Sequence, residues 1–332
     1  MLGANERVDE FEFIARLLRP LTDGAREALD LRDDAAVVPS RPGFDLVISK
    51  DAMVEGVHFL ADDPLDLVAR KLLRVNLSDL AAKAAEPWGY FLAVAWPAHC
   101  GWAARELFAR GLRQDQDTFG LKLLGGDTSS TPGPLTLSVT ILGWTPQGRM
   151  IRRAGAAPGD RVLVSGTIGD GWLGLASAQG RLSELESADA AWLADRYRLP
   201  QPRTALRDAL RDHASAAADV SDGLFADAGH VAEASGAGMI VMLDELPLSG
   251  PALAWLSLQR DRGSALAALA SGGDDYEVVC TARPEAATRL VAAAAAAGAP
   301  ITDIGEVVAG AGVNAIWQGG GVTLEKTGWR HG

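Results

Sequence analysis

Apolar and polar positions alternate along the chain in two rhythms, one helical and one strand-like. FEFIARLL (11–18) carries the helical rhythm and predicts a first helix, and the run from Phe44 to Ser49 predicts a short strand that stops at Ser49-Lys50-Asp51. Asp63-Pro64 is a helix start, with a capping Asp and Pro at the first helical position. The pattern carries that helix to about Glu86. GYFLAVAWP (89–97) reads as a strand, 103–118 as a helix, LKLL (121–124) as a short strand and LTLSVTILGW (135–144) as another.

After QGRMIRRAGAAPGD (147–160), which has no period, RVLVSG predicts a strand and a helix follows from about Trp172. AADVSDGLFADAGHVAEASG reads as strand, turn and helix; GMIVMLDELPL and YEVVCTA as strands; PEAATRLVAAAAAAG as a helix. Strands and helices mix in both halves, so the expected class is α/β or α+β, with domains over 1–148 and 149–332.

Composition changes this picture little. The 332 residues are 48% hydrophobic and 22% charged, as in an ordinary globular chain with room for two cores. The net charge of -12 disfavours a nucleic-acid partner, which would need a basic surface. Cys100 and Cys280 are the only cysteines, too few for a disulfide framework. The start MLGANERVDEFEF is acidic where a signal peptide is basic, and the longest apolar run, Leu290 to Ala297, is too short for a bilayer. The expectation is a cytoplasmic protein with no membrane partner.

Neither of two common phosphate-binding motifs is complete in the chain. None of Lys50, Lys71, Lys83, Lys122 and Lys326 sits in a Walker A loop. GDGWLG (169–174) matches Gly-x-Gly-x-x-Gly, but no second strand ending in an acid follows it, as a dinucleotide fold requires. The stronger pattern is acidic. Asp33-Asp34, Asp51, Asp127, Asp219, Asp222 and Asp274-Asp275 fall at expected strand ends or Gly turns, and Asp79 shares a helical stripe with Asn76 and Lys83. Each alone is adequately explained as a turn or cap residue. Carboxylates gathered beside hydroxyls and glycines also form the oxygen-rich surface that Mg²⁺ and phosphates use.

RDDAAVV, SKDAMVEGVHF, NLSDLAA, LLGGDTSS, RRAGAAPGD, DVSDG, SGGDDYE and the terminal GWRH, in this order, resemble thiamine-monophosphate kinase. That family belongs to the superfamily of aminoimidazole ribonucleotide synthetase. The resemblance implies a two-domain synthetase-like fold, in which the N-terminal domains of a homodimer share a β-barrel and an α/β domain follows. It implies transfer of a phosphoryl group from ATP to thiamine monophosphate, with several Mg²⁺ ions. Motif by motif, it makes Asp34, Ser49, Asp51, Asp79, Asp127, Asp219 and Asp222 metal ligands. Gly126, Asp127, Arg153 and Ser221 become ATP contacts; His58, Asp274 and Trp329 become substrate contacts.

Two departures stand out. Asp274 replaces the family's usual Glu, and Lys50 takes a position where the family often has Thr or Ser. An ammonium group has no lone pair for a metal, so Lys50 implies one ion fewer, a phosphate contact, or a side chain turned to solvent. Asp33 is left without an assigned role. Two alternatives stand beside this reading: another member of the superfamily, or a non-catalytic Mg²⁺-nucleotide-binding protein.

Overall fold

A computed structural model describes residues 9–324 and 327–329. The chain divides into two compact units, Met1–Leu80 with Glu86–Gly148, and Ala81–Ala85 with Arg149–Gly332.

The first unit opens with a short helix, α1 (Glu10–Phe13), that widens into a π-turn over Ile14–Leu18. It then builds β1 (Phe44–Val54), α2 (Leu65–Ala82), β2 (Glu86–Pro97), α3 (Trp102–Phe119), β3 (Leu123–Thr131) and β4 (Thr136–Pro146). Among the described residues the strands form one sheet of order β1-β4-β2-β3. β4 runs antiparallel to both neighbours, and β2 pairs with β3 in parallel. Its core includes Trp96, at most 1% exposed, with Phe13 and Phe108 edge-on at 5.8 and 5.4 Å between centroids.

Three expectations are corrected here. The first strand does not stop at Ser49: β1 continues to Val54, because Ser49, Lys50 and Asp51 pair with Ile141, Thr140 and Val139 of β4. The long helix ends at Ala82 rather than near Glu86; Ala84 turns left-handed (φ 57°) and Glu86 already begins β2. Only the last two residues of LKLL belong to β3, which runs on to Thr131, so Asp127 lies within a strand and not in a Gly turn. For β1 and β3 a neighbouring strand supplies backbone partners to residues whose side chains look like loop residues.

The second unit adds β5 (Arg161–Ser165), α4 (Asp170–Ala178), α5 (Ser187–Arg198), α6 (Arg207–His213), β6 (Ala216–Val220), α7 (Leu224–Ser235) and β7 (Gly238–Met242). α8 (Gly250–Ser257), α9 (Arg262–Ser271), β8 (Glu277–Ala282), α10 (Pro284–Ala296), β9 (Ile301–Val308), β10 (Gly312–Trp317) and β11 (Gly320–Val322) complete it. The sheet order is β11-β10-β7-β9-β5-β8-β6. Its central strands read as unbroken apolar runs because both faces are covered. Val162, Val164 and Val279 pack in one cluster with Phe225 of α7 and Leu269 of α9, while Leu163, Val278 and Cys280 pack in another with Leu210 of α6 and Leu290 of α10. The expected strand over 238–248 is shorter than its apolar pattern: after Met242 the chain turns into a 3₁₀ segment, Leu243–Glu245.

Candidate functional site

In the first unit β1 and α2 bring three of the predicted ligands, Ser49, Asp51 and Asp79, together. Strand alternation leaves Ser49 and Asp51 partly covered on one face, and sends Ile48, Lys50 and Ala52 to the exposed one. Ser49 Oγ donates to Asp79 Oδ2 at 2.5 Å, and Asp51 N donates to Asn76 Oδ1 at 3.1 Å. The 76–79 stripe of α2 is thus docked on β1 by polar bonds. Lys50 Nζ donates to Ser138 Oγ at 2.8 Å on the other face, so it does not stand between Ser49 and Asp51 as their order in sequence suggests.

His58 folds back on the strand. Its Nδ1 accepts from Val54 N at 3.0 Å, which places the ring proton of the neutral imidazole on Nε2. Its carbonyl accepts Lys71 Nζ at 3.1 Å. Asp33 and Asp34 are both exposed, and Asp33 Oδ1 accepts Asp34 N at 2.8 Å, so the first acid of the pair braces its own turn.

Gly126 and exposed Asp127 sit on β3, at the opposite edge of the sheet from β1. Three strand spacings, roughly 14 Å, separate those edges. Within this sheet Asp127 is therefore not joined to Ser49, Asp51 and Asp79. Gly126 has φ 151°, and a Cβ there would lie 1.8 Å from Leu92 O, so only glycine lets β3 come this close to β2.

In the second unit Asp274 and Trp329 meet Ser221 and Asp222 at the turn over residues 221–223, between β6 and α7. Asp219, 6% exposed, is the penultimate residue of β6, opposite Val278. Ser221 O accepts Asp274 N at 2.8 Å, and Asp222 O accepts Trp329 N at 2.9 Å. Asp274 holds a left-handed backbone (φ 61°), and its Oδ1 accepts the Tyr276 hydroxyl at 3.1 Å. The Trp329 residue is 58% exposed. Exposed Arg153 belongs to the segment before β5, where Arg152 O accepts Ala217 N at 2.9 Å and Arg153 O accepts Ser235 Oγ at 3.3 Å.

The sequence reading missed Asp227 and His230. One ligand atom each from Asp222, Asp227 and His230 lie within 4.8 Å of one another. Burial pushes the Asp227 carboxyl up to about 7, Asp222 adds to this, and backbone N–H bonds oppose it. The available signal was spacing: Asp227 is five residues after Asp222, in the first turn of the next helix.

The Gly-x-Gly-x-x-Gly stretch is explained by a carboxylate. Buried Asp275 accepts Gly169 N at 2.8 Å and Gly171 N at 2.9 Å, occupying amides that a bound phosphate would use. The Asp274-Asp275 pair therefore splits, one acid toward the candidate site and one into the fold. Glu277 is also fully buried, bonded by Ser165, Arg196 and Arg203.

Ser49 and Asp79, joined by a hydrogen bond, offer only oxygen atoms, the donor type a hard cation such as Mg²⁺ takes. Residues 32–145 match the family AIR synthase related protein, N-terminal domain, and 157–318 match AIR synthase related protein, C-terminal domain. A thiamine-monophosphate kinase of Caulobacter vibrioides is 61% identical over 97% of this chain and 91% of its own. This chain belongs to the thiamine-monophosphate kinase family. The thiamine-monophosphate kinase of Escherichia coli strain K12 is 40% identical over 97% of this chain and 98% of its own. Among solved thiamine-monophosphate kinases, that of Stenotrophomonas maltophilia K279a superposes with TM-score 0.82 at 37% identity, covering 95% and 98% of the two chains. AaThiL complexed with AMPPCP and TMP superposes with TM-score 0.77 at 28% identity over 99% of this chain and 100% of its own. The hydrogenase maturation protein HypE of E. coli, at 22% identity and TM-score 0.74, shares the fold alone.

Proposed function

We propose that this chain transfers the γ-phosphoryl group of ATP to thiamine monophosphate, giving thiamine diphosphate and ADP. The observation that carries this is the 61% identity to a thiamine-monophosphate kinase over nearly the whole chain. AaThiL, a structural relative, binds AMPPCP and TMP together.

The reaction asks more for positioning and charge neutralisation than for proton abstraction. The acceptor is a phosphate monoester, with a second pKa of about 6, so it already presents an anionic oxygen at neutral pH. No general base is required. Asp34, Ser49, Asp51, Asp79, Asp127, Asp219 and Asp222 are the residues we assign to Mg²⁺, which when bound offsets the charge of the phosphates. Gly126, Asp127, Arg153 and Ser221 are assigned to ATP. His58, Asp274 and Trp329 are assigned to the thiamine substrate. The Nε2–H tautomer makes His58 a donor, and exposed Trp329 offers a face to a cationic ring.

A homodimer with a shared barrel is part of this reading. Among the described residues β1 and β3 lie at the ends of the sheet order, and a second copy closing on them would unite Asp127 of one chain with the Ser49 region of its mate. The setting we propose is the cytoplasm: both cysteines are buried and unpaired, and no helix among the described residues is long and apolar enough to cross a membrane.

The test incubates purified protein with ATP, Mg²⁺ and thiamine monophosphate and follows thiamine diphosphate by chromatography. Stoichiometric thiamine diphosphate and ADP are expected; product from a different phosphate acceptor, with none from thiamine monophosphate, overturns the proposal. Asp127→Asn should lower turnover by roughly a hundredfold or more while unfolding stays cooperative. Near-normal turnover in that variant would remove Asp127 from the site.

A further inference from the structure

The three backbone amides of the turn at residues 221–223 share one acceptor. Asp227 Oδ2 accepts Ser221 N at 3.0 Å, Asp222 N at 3.0 Å and Gly223 N at 3.2 Å. The residue is 2% exposed and belongs to α7, so its side chain grips the turn from beneath. On the other side of the same peptides, the carbonyls of Ser221 and Asp222 receive Asp274 N and Trp329 N. Two glycines also approach the turn closely. A Cβ on Gly273 would lie 2.7 Å from Ser221 O, and one on Gly328 would lie 2.7 Å from Asp222 O.

We propose that Asp227 is a positioning residue for both substrates, holding through one carboxylate oxygen the turn on which the nucleotide and thiamine contacts converge. This rests on the roles assigned above to Ser221, Asp222, Asp274 and Trp329. Three N–H groups converge on one acceptor, so rotation of any peptide in the turn breaks a bond. Rotating the Ser221 or Asp222 peptide also swings the carbonyl that holds Asp274 or Trp329. A fixed turn thus sets two binding elements that are far apart in sequence. Misplacement by about 1 Å at such a site costs on the order of a hundredfold in rate.

The test compares Asp227→Ala, which removes the acceptor, with Asp227→Asn, which keeps a carbonyl oxygen of the same reach. The alanine variant should lose on the order of a hundredfold in kcat/KM, with KM rising for both ATP and thiamine monophosphate. The asparagine variant should recover to within about fivefold of wild type. If the alanine variant does not fold, Asp227→Ser, whose shorter side chain cannot span three amides, takes its place with the same expectation. An asparagine variant as inactive as alanine, yet folded, would show that the charge itself is needed and overturn the positioning role. A rise in KM for ATP alone would overturn the coupling of the two sites. Affinity for Mg²⁺-AMPPCP is measured calorimetrically on the same proteins and should weaken in alanine and recover in asparagine. Wild type that binds the analogue but makes no thiamine diphosphate would sink the proposed reaction, while the binding ratio still reads out the nucleotide half of this inference.

Discussion

Buried Asp275 shows how one residue can tie a site's geometry to pH. Burial holds its carboxyl well above the usual range, more than the amides of Gly169 and Gly171 pull it back; Asp170 adds to the rise and Arg196 opposes it. An acid with a raised folded-state pKa keeps its proton in the native state after the unfolded chain has lost its own, near pH 4. The native state then binds more protons, so this group's contribution to stability is complete below about pH 4 and falls as pH rises toward the folded value. Thermal melts of wild type and Asp275→Asn across pH 4 to 8 isolate the effect. The wild type should lose ground relative to the variant as pH increases; a difference independent of pH would mean that Asp275 ionises as readily folded as unfolded. Asp227, Asp275 and Glu277 all present a buried carboxyl group yet do different work, because each meets a different set of donors.

At the scale of elements, β3 carries the sharpest packing constraint on the candidate site. Gly126 lies in register with Leu92, and a methyl group there would collide with the Leu92 carbonyl. Gly126→Ala should therefore cost about 2 kcal/mol or more and displace Asp127, lowering turnover along with the melting temperature. Gly125→Ala, whose Cβ would meet only the movable Phe91 ring at 3.1 Å, should cost less than half as much. Equal effects would mean that β3 can shift away from β2. The periodic elements were legible in the sequence: α3, β4, α7 and α10 stand close to where their patterns put them, and the ordered motifs carried the family. The extents of β1 and β3 were not, because Ser49 to Asp51 and Gly125 to Thr131 look like loop residues until a ladder partner far along the chain supplies their bonds. Asp227 was hidden for a related reason. A helix-turn carboxylate reads as a cap, and only the fold shows which amides it receives.

At the scale of the whole molecule, the first unit's sheet has an exposed face at its β1 edge. Ile48 is 58% exposed there, on the same side of β1 as Lys50 and Ala52, beside the antiparallel partner β4. A half-covered hydrophobic residue on an edge strand fits a surface that a second copy covers, the shared barrel proposed for the homodimer. Ile48→Asp would place an unpaired charge inside such a barrel, at a cost of several kcal/mol, and each 1.4 kcal/mol shifts the dimer equilibrium tenfold. The variant should run as a monomer by light scattering at concentrations where wild type is a dimer. Because the barrel is also what would bring Asp127 to the Ser49 and Asp79 region of the other chain, thiamine diphosphate formation should fall at least tenfold with dissociation and return as protein concentration is raised. A fully active monomer would break that link, and Asp127 would then have to reach its metal within a single chain.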